Sequence, residues 1–342
     1  MLQFKVLIAG GDSLPSNGAA NETPNFFTGG MDAIEATAAI CESCGEVAAN
    51  LYIVQGLLLM AANFLILIAI LHYPRLRERK EYLMVAGLAL VDGMGGVATL
   101  TAGVGRLHIV LSTDENVLVS RVHCLLRPWN LLFIWTDPLA HIVPLVIGFD
   151  RLLAVTGPLR YIKLTYRYTV AVLGGVLVLW SFNVTTGVLL TLPYTQPEVG
   201  SLCYTAWSLQ PDYYLYHGWI GAIADVLSVA TYVVVLCLVR RMNTVYPTGS
   251  NAELENIRRT RRITITLGLA SLFTAVFYTV PLIGKLVAGY YVSDETMSMI
   301  LPFTFLVNSI NQLANFFLYT TRQKEVRHAV LHFVSCKKIR YA

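Results

Sequence analysis

Seven long apolar stretches constrain this chain more than any other feature: roughly 47–72, 82–105, 122–154, 169–192, 215–239, 260–286 and 297–321. The hydrocarbon core of a bilayer asks for about 20 apolar residues per helix, and a soluble domain has no use for seven such segments. The first, fourth and seventh contain no charged residue. Charged residues make up 13% of the chain and hydrophobic residues 55%, where a soluble domain carries about 25% charge. The expected fold is an all-α integral membrane protein, a seven-transmembrane helix bundle. No repeat relates the halves, and an odd count of spans argues against a simple inverted-repeat transporter.

Basic residues orient the bundle. Arg75, Arg77, Arg79 and Lys80 follow the first span, and Arg151, Arg160, Lys163 and Arg167 lie between the third and fourth. Arg240, Arg241, Arg258, Arg259, Arg261 and Arg262 flank the fifth-to-sixth connection; Arg322, Lys324, Arg327, Lys337, Lys338 and Arg340 occupy the tail. These are 20 of the 25 Lys and Arg, so those loops and the C-terminus are expected inside. The net charge of +4 then expresses topology, not nucleic-acid binding. Residues 1–46 are expected outside: they hold six acids, one base (Lys5), frequent Gly, Ser, Asn and Pro, and no period, so a disordered extracellular segment is expected. The run Phe4–Ala9 is too short for a signal-peptide core, which leaves the first span as targeting signal. Asn21-Glu22-Thr23 is a glycosylation sequon on that outer side. The receptor-like body is expected at 47–321 and an amphipathic helix with cytoplasmic tail at 322–342.

The stretch from Cys124 to Tyr161 organises the bundle. The 26 steps from Cys124 to Asp150 would make a helix about 39 Å long at 1.5 Å per residue, enough to cross a bilayer with its headgroups. Asp150-Arg151-Leu152 would sit at one face and Cys124 at the other, followed by Pro158-Leu159-Arg160-Tyr161. An adjacent acid and base with a basic, proline-broken loop suit a cytoplasmic signalling surface.

That pattern resembles the Asp-Arg-Tyr motif and second inner loop of rhodopsin-like (class A) G protein-coupled receptors. Leucine in place of tyrosine is similar to the nematode serpentine chemoreceptors of the sx-type class. The resemblance covers about residues 48–335 and implies a disulfide between Cys124 and Cys203, both on the oxidising side. It also implies a polar core of Asn63, Asp92, Asn311 and Asn315, the last two one turn apart. Such a core suits a structural sodium ion near Asp92 or a hydrogen-bonded network without an ion; Ala140 replaces a hydroxyl that relatives often supply. No other cofactor and no metal site is implied. Asn315-Phe316-Phe317-Leu318-Tyr319 resembles Asn-Pro-x-x-Tyr with phenylalanine for proline, and leaves Tyr319 free to point into the inner bundle. Tyr278-Thr279-Val280-Pro281 stands where relatives have Cys-Trp-x-Pro; the kink is kept and the tryptophan is absent. Arg261 stands where many relatives carry a glutamate that locks the third-span arginine, so Arg151 is expected to pair with Asp150 alone.

Ionisable groups within spans are costly and are functional candidates by default. Asp137 and His141 lie four apart on the third span; Asp137 either meets a cationic ligand group or bridges to His141 or a neighbouring helix. Asp225 of the fifth span has the same two readings, ligand contact or interhelical hydrogen bond. Trp129, Phe133 and Tyr278 complete the pocket candidates, in a rim whose aromatics also serve as an interfacial belt. Cys41 and Cys44 suit a local disulfide or, less simply, a two-ligand metal site; Cys237 reads as a packing residue. Val326, Val330, Phe333 and Val334 share one face of a basic helix after Tyr319. This resembles the short amphipathic eighth helix of the family, with Cys336 beyond it as a palmitoylation candidate or a plain thiol.

No His-Glu-x-x-His helix, glycine-rich phosphate loop or sizeable cytosolic domain is present, so enzymatic readings are set aside. The segment 297–321 also lacks the lysine that a retinal Schiff base needs. The expected function is a plasma-membrane receptor that binds an extracellular odorant, small amine or peptide and activates a heterotrimeric G protein. Asp150, Arg151, Arg160, Arg261 and Tyr319 would carry the coupling. The alternative is a transporter or channel that uses Asp92, Asp137 and Asp225 as a proton or cation path.

Overall fold

The computed structural model describes residues 28–112, 117–157, 160–161, 163–245, 265–266, 268–281, 283–284, 307, 310 and 312–335, with side chains for all of these except 28–44, 242–245 and 278. Among the described residues, five helices are long and apolar enough to cross a membrane: Gly45–His72, Lys80–Leu111, Pro128–Thr156, Tyr166–Thr191 and Pro211–Arg241. They correspond in order to the first five expected spans. The sixth and seventh expected spans are described only in part, with helix at 265–266, 268–281, 283–284, 307, 310 and 312–322.

Several expectations are corrected. The segment before the first span, expected to be disordered, is helical from Thr28; its early turns are rich in Ala and Glu, residues that favour a helix without an apolar period. The helix expected to run unbroken from Cys124 to Asp150 is two helices, Arg121–Leu125 and Pro128–Thr156. Pro128 is the cause. It has no N–H to give and disfavours helical geometry in the residue before it, and Arg127 is extended at φ −63°, ψ 134°. Pro128 then opens the long helix from its first turn, where a missing donor costs nothing. The fold is also not purely helical: strands β1 (Leu118–Ser120) and β2 (Pro197–Gly200) pair antiparallel beside the short helix. Cys237 is exposed on the fifth helix rather than packed inside the bundle.

The third helix is the axis, packed between the second and the fifth. The first and second helices meet backbone to backbone. A Cβ at Gly96 would stand 2.5 Å from the Met60 nitrogen, and one at Gly103 2.7 Å from that of Ile53. Small residues allow this closeness where lipid tails provide no hydrophobic drive between helices. Large apolar side chains such as Leu179 and Phe182 of the fourth helix face outward, as a lipid-facing surface requires.

Two prolines inside the third helix, Pro138 and Pro144, each lack a backbone donor. Pro138 leaves the Ile134 carbonyl, four residues back, without its helical partner. The fifth helix supplies a replacement: His217 Nε2 donates to the Ile134 oxygen at 3.2 Å. In the sixth segment, a π-turn over Ala275–Thr279 lies just ahead of Pro281. A widened turn relieves the clash between the proline ring and the preceding carbonyl.

Candidate functional site

Polar side chains gather at three levels along the third helix. At the Cys124 end, Cys124 and Cys203 are joined by a disulfide. Asn130, buried one turn into the long helix, ties both halves of the bridge: its Nδ2 donates to the carbonyls of Cys124 (2.7 Å) and Cys203 (3.0 Å). Its Oδ1 accepts from the Thr205 hydroxyl at 2.8 Å. Trp129 Nε1 also donates to the Cys203 carbonyl, at 3.4 Å. Trp129 and Phe133, expected on a pocket rim, are thus buried against the disulfide with Tyr52 and Val199. Asn130 escaped the sequence reading because an asparagine near a span end has many uses. Its distance from the cysteine pair is a tertiary fact.

At mid-bundle there are two separate clusters. Asp92 Oδ2 accepts from Asn315 Nδ2 at 3.1 Å, joining the second helix to 312–322. Asn63 is buried, but its amide donates within its own helix to the Leu59 carbonyl at 3.0 Å; Asn311 lies outside the described residues. The second cluster centres on Asp225. His141 Nδ1 meets Asp225 Oδ1 at 3.0 Å, and the Thr279 hydroxyl donates to Asp225 Oδ2 at 2.8 Å. One carboxylate therefore ties together the third helix, the fifth helix and the sixth segment. Thr279 is the residue that stands at the missing tryptophan, a position the sequence marked only as a departure. Asp137 is half-buried one turn along the third helix from His141, and the side chain of Tyr278 is outside the described set.

At the other end, Asp150 and Arg151 are each 2% exposed. Arg151 Nη2 donates to Asp150 Oδ2 (2.6 Å) and to the Tyr161 hydroxyl (3.0 Å), which itself donates to Asp150 Oδ2 (3.0 Å). Among the described residues Arg151 has Asp150 as its one carboxylate partner, as expected, and a phenol closes the pair into a three-membered ring. Burial, the largest influence, pushes the Tyr161 phenol above its ordinary value, so it stays protonated and remains a donor. Lys80, first residue of the second helix, holds Tyr161 in place. Its ammonium donates to the Tyr161 and Leu164 carbonyls and lies 3.4 Å from the Tyr161 ring centre. Arg160, singled out from sequence, is exposed, and Arg261 lies outside the described residues. Tyr319 is buried beside a cavity of about one water molecule, lined also by Tyr232, Ser271, Thr274 and Asn315.

Apolar helices of bilayer length, a buried acid–arginine pair at one end and a disulfide at the other define a multi-pass membrane receptor. The model of the serpentine type 7TM GPCR chemoreceptor Srsx family matches residues 57–334, and the chain belongs to that family. It is a G protein-coupled receptor. It is also similar to cannabinoid receptor 2 of Mus musculus, 26% identical over 320 residues that cover 91% of this chain and 88% of that one.

Proposed function

We propose that this receptor takes its ligand at the disulfide end and releases Arg151 to a heterotrimeric G protein at the other. The arginine's burial, with its planar head held by Asp150 and Tyr161, carries this reading. A cation fully withdrawn from water and ringed by groups it can exchange is suited to a two-state element. Among the described residues Arg151 Nε and Asp150 Oδ1 lack hydrogen bonds of their own in this arrangement, which leaves valences for a second one. Ligand shifts the population toward a bundle in which the sixth segment moves away from the third helix, and Asp225 is the carboxylate that both segments share. The proposed topology is seven spans within 47–321, an extracellular N-terminus that carries glycan at Asn21, and a cytoplasmic tail over 322–342. Lys324–Val334, helical with Val326, Ala329 and Val330 buried on one face, supports reading it as the membrane-surface eighth helix. In this topology Cys336 lies beside the inner leaflet.

The test is nucleotide exchange on a co-reconstituted G protein. Arg151→Ala is expected to keep ligand binding and to lose stimulated exchange, because the guanidinium fork that grips the partner is gone. Normal stimulated exchange from a well-expressed Arg151→Ala receptor would refute the mechanism.

A further inference from the structure

The second helix carries a buried cation that neither the disulfide nor the Arg151 cluster uses. Arg106 is 5% exposed and makes no ion pair among the described residues. Its Nε donates to the Leu202 carbonyl at 3.1 Å. Its guanidinium lies 4.4 Å from the Tyr204 ring centre and 5.0 Å from that of Tyr52. Its Nη1 is buried with no hydrogen-bond partner among the described residues. Two ring faces, one carbonyl and the Tyr52 hydroxyl, which hydrogen-bonds the guanidinium, supply no counter-ion for a full positive charge taken out of water. A carboxylate would supply the counter-ion that the described residues do not.

We infer that Arg106 is the anchor for the carboxylate of an organic acid whose apolar body rests on the aromatic wall beside the disulfide. This rests on the proposed reading that ligand enters at that end. Arginine presents two parallel N–H groups that match a carboxylate, and Nη1 is one of the donors still unused. The surroundings select against a small inorganic anion: Tyr52, Trp129 and Phe133 form one buried apolar cluster with the cysteine pair. The cover over Arg106 is the strand-to-helix connection Leu202–Tyr204, half-exposed at Leu202 and Tyr204. Its central residue, Cys203, has φ 51°, a left-handed conformation that a non-glycine residue adopts at some cost and that recurs at ligand clamps. The same three residues supply the Leu202 carbonyl that Arg106 holds and the Tyr204 ring that stacks on it. An entering carboxylate would replace that carbonyl and be capped by that ring.

The experiment is thermal unfolding of the purified receptor in detergent, without G protein. The probes are phenylacetate, indole-3-acetate and decanoate, each paired with its primary amide, with acetate and chloride as small anions. At least one of the three large acids is expected to raise the unfolding temperature, its amide is not, and Arg106→Gln should abolish the rise. Arg106→Lys should weaken apparent affinity by about ten- to a hundredfold, because charge remains while the fork is lost. With no probe added, Arg106→Gln is expected to unfold at the wild-type temperature or above it, since an uncompensated charge has been removed. The inference fails if no acid stabilises the wild type, if amides or acetate and chloride do so equally, if Arg106→Lys matches the wild type, or if Arg106→Gln unfolds lower without any probe. Loss of stimulated nucleotide exchange with the acid-dependent shift intact would sink the coupling mechanism instead and leave this site standing.

Discussion

Tyr161→Phe isolates the residue that distinguishes this receptor's resting lock. Phenylalanine keeps the ring beneath the Lys80 ammonium, 3.4 Å from its centre, and removes only the hydroxyl that touches both Arg151 and Asp150 at 3.0 Å. Hydrogen bonds to charged groups are worth about 1.5–3 kcal/mol each. The ion pair survives at 2.6 Å and reabsorbs part of that, so the resting state should lose about 1–2 kcal/mol. This is a factor of about 5–30 in the equilibrium. A receptor whose active form is about 1% populated without ligand would rise to roughly 5–25%. The assay is ligand-independent nucleotide exchange per receptor at the cell surface, with Asp150→Asn as a parallel case. The reasoning is refuted if Tyr161→Phe reaches the surface normally and its basal exchange is indistinguishable from wild type. That outcome would mean Tyr161 merely packs.

Three further outcomes are expected. Cys124→Ala, Cys203→Ala and the double variant should lose surface expression to the same degree, because one bond is lost in all three; with the partners 79 positions apart, the cost is about 4.5 kcal/mol, and additive losses would contradict the pairing. His217→Ala should destabilise the receptor by about 1–3 kcal/mol by baring the Ile134 carbonyl. Pro138→Ala in that background should recover part of the loss by restoring the helical donor, so simple additivity in thermal unfolding would refute the capping. Glycosidase should shift the receptor's gel mobility and Asn21→Gln should abolish the shift, while a C-terminal tag should be detected only after permeabilisation; a tag exposed on intact cells would invert the topology.

The sequence alone determined what depends on one-dimensional order. Spans follow from runs of apolar residues because backbone groups in lipid must bond within their own helix, and Asp150-Arg151 at a span end marks a candidate ion pair whatever the packing. The start of the long third helix was misjudged although Pro128 was visible, since hydropathy does not register a missing N–H. The tertiary structure decided what depends on how helices rotate against one another. Asp225 reads from sequence as either ligand contact or interhelical bond, and only the facing of the third helix and the sixth segment gives it His141 and Thr279. Pro138 announces an orphaned carbonyl, yet nothing local says that His217, 83 positions from Ile134, will cover it. Tyr161 lies in the loop motif after the helix, and only the fold of that loop over the helix end brings its hydroxyl to the pair. Arg106 near a span end looks like an ordinary interfacial cation. It becomes a buried, half-satisfied charge because the disulfide draws Leu202 and Tyr204 down over it, and a bond between residues 79 apart in sequence leaves no periodic trace in the chain.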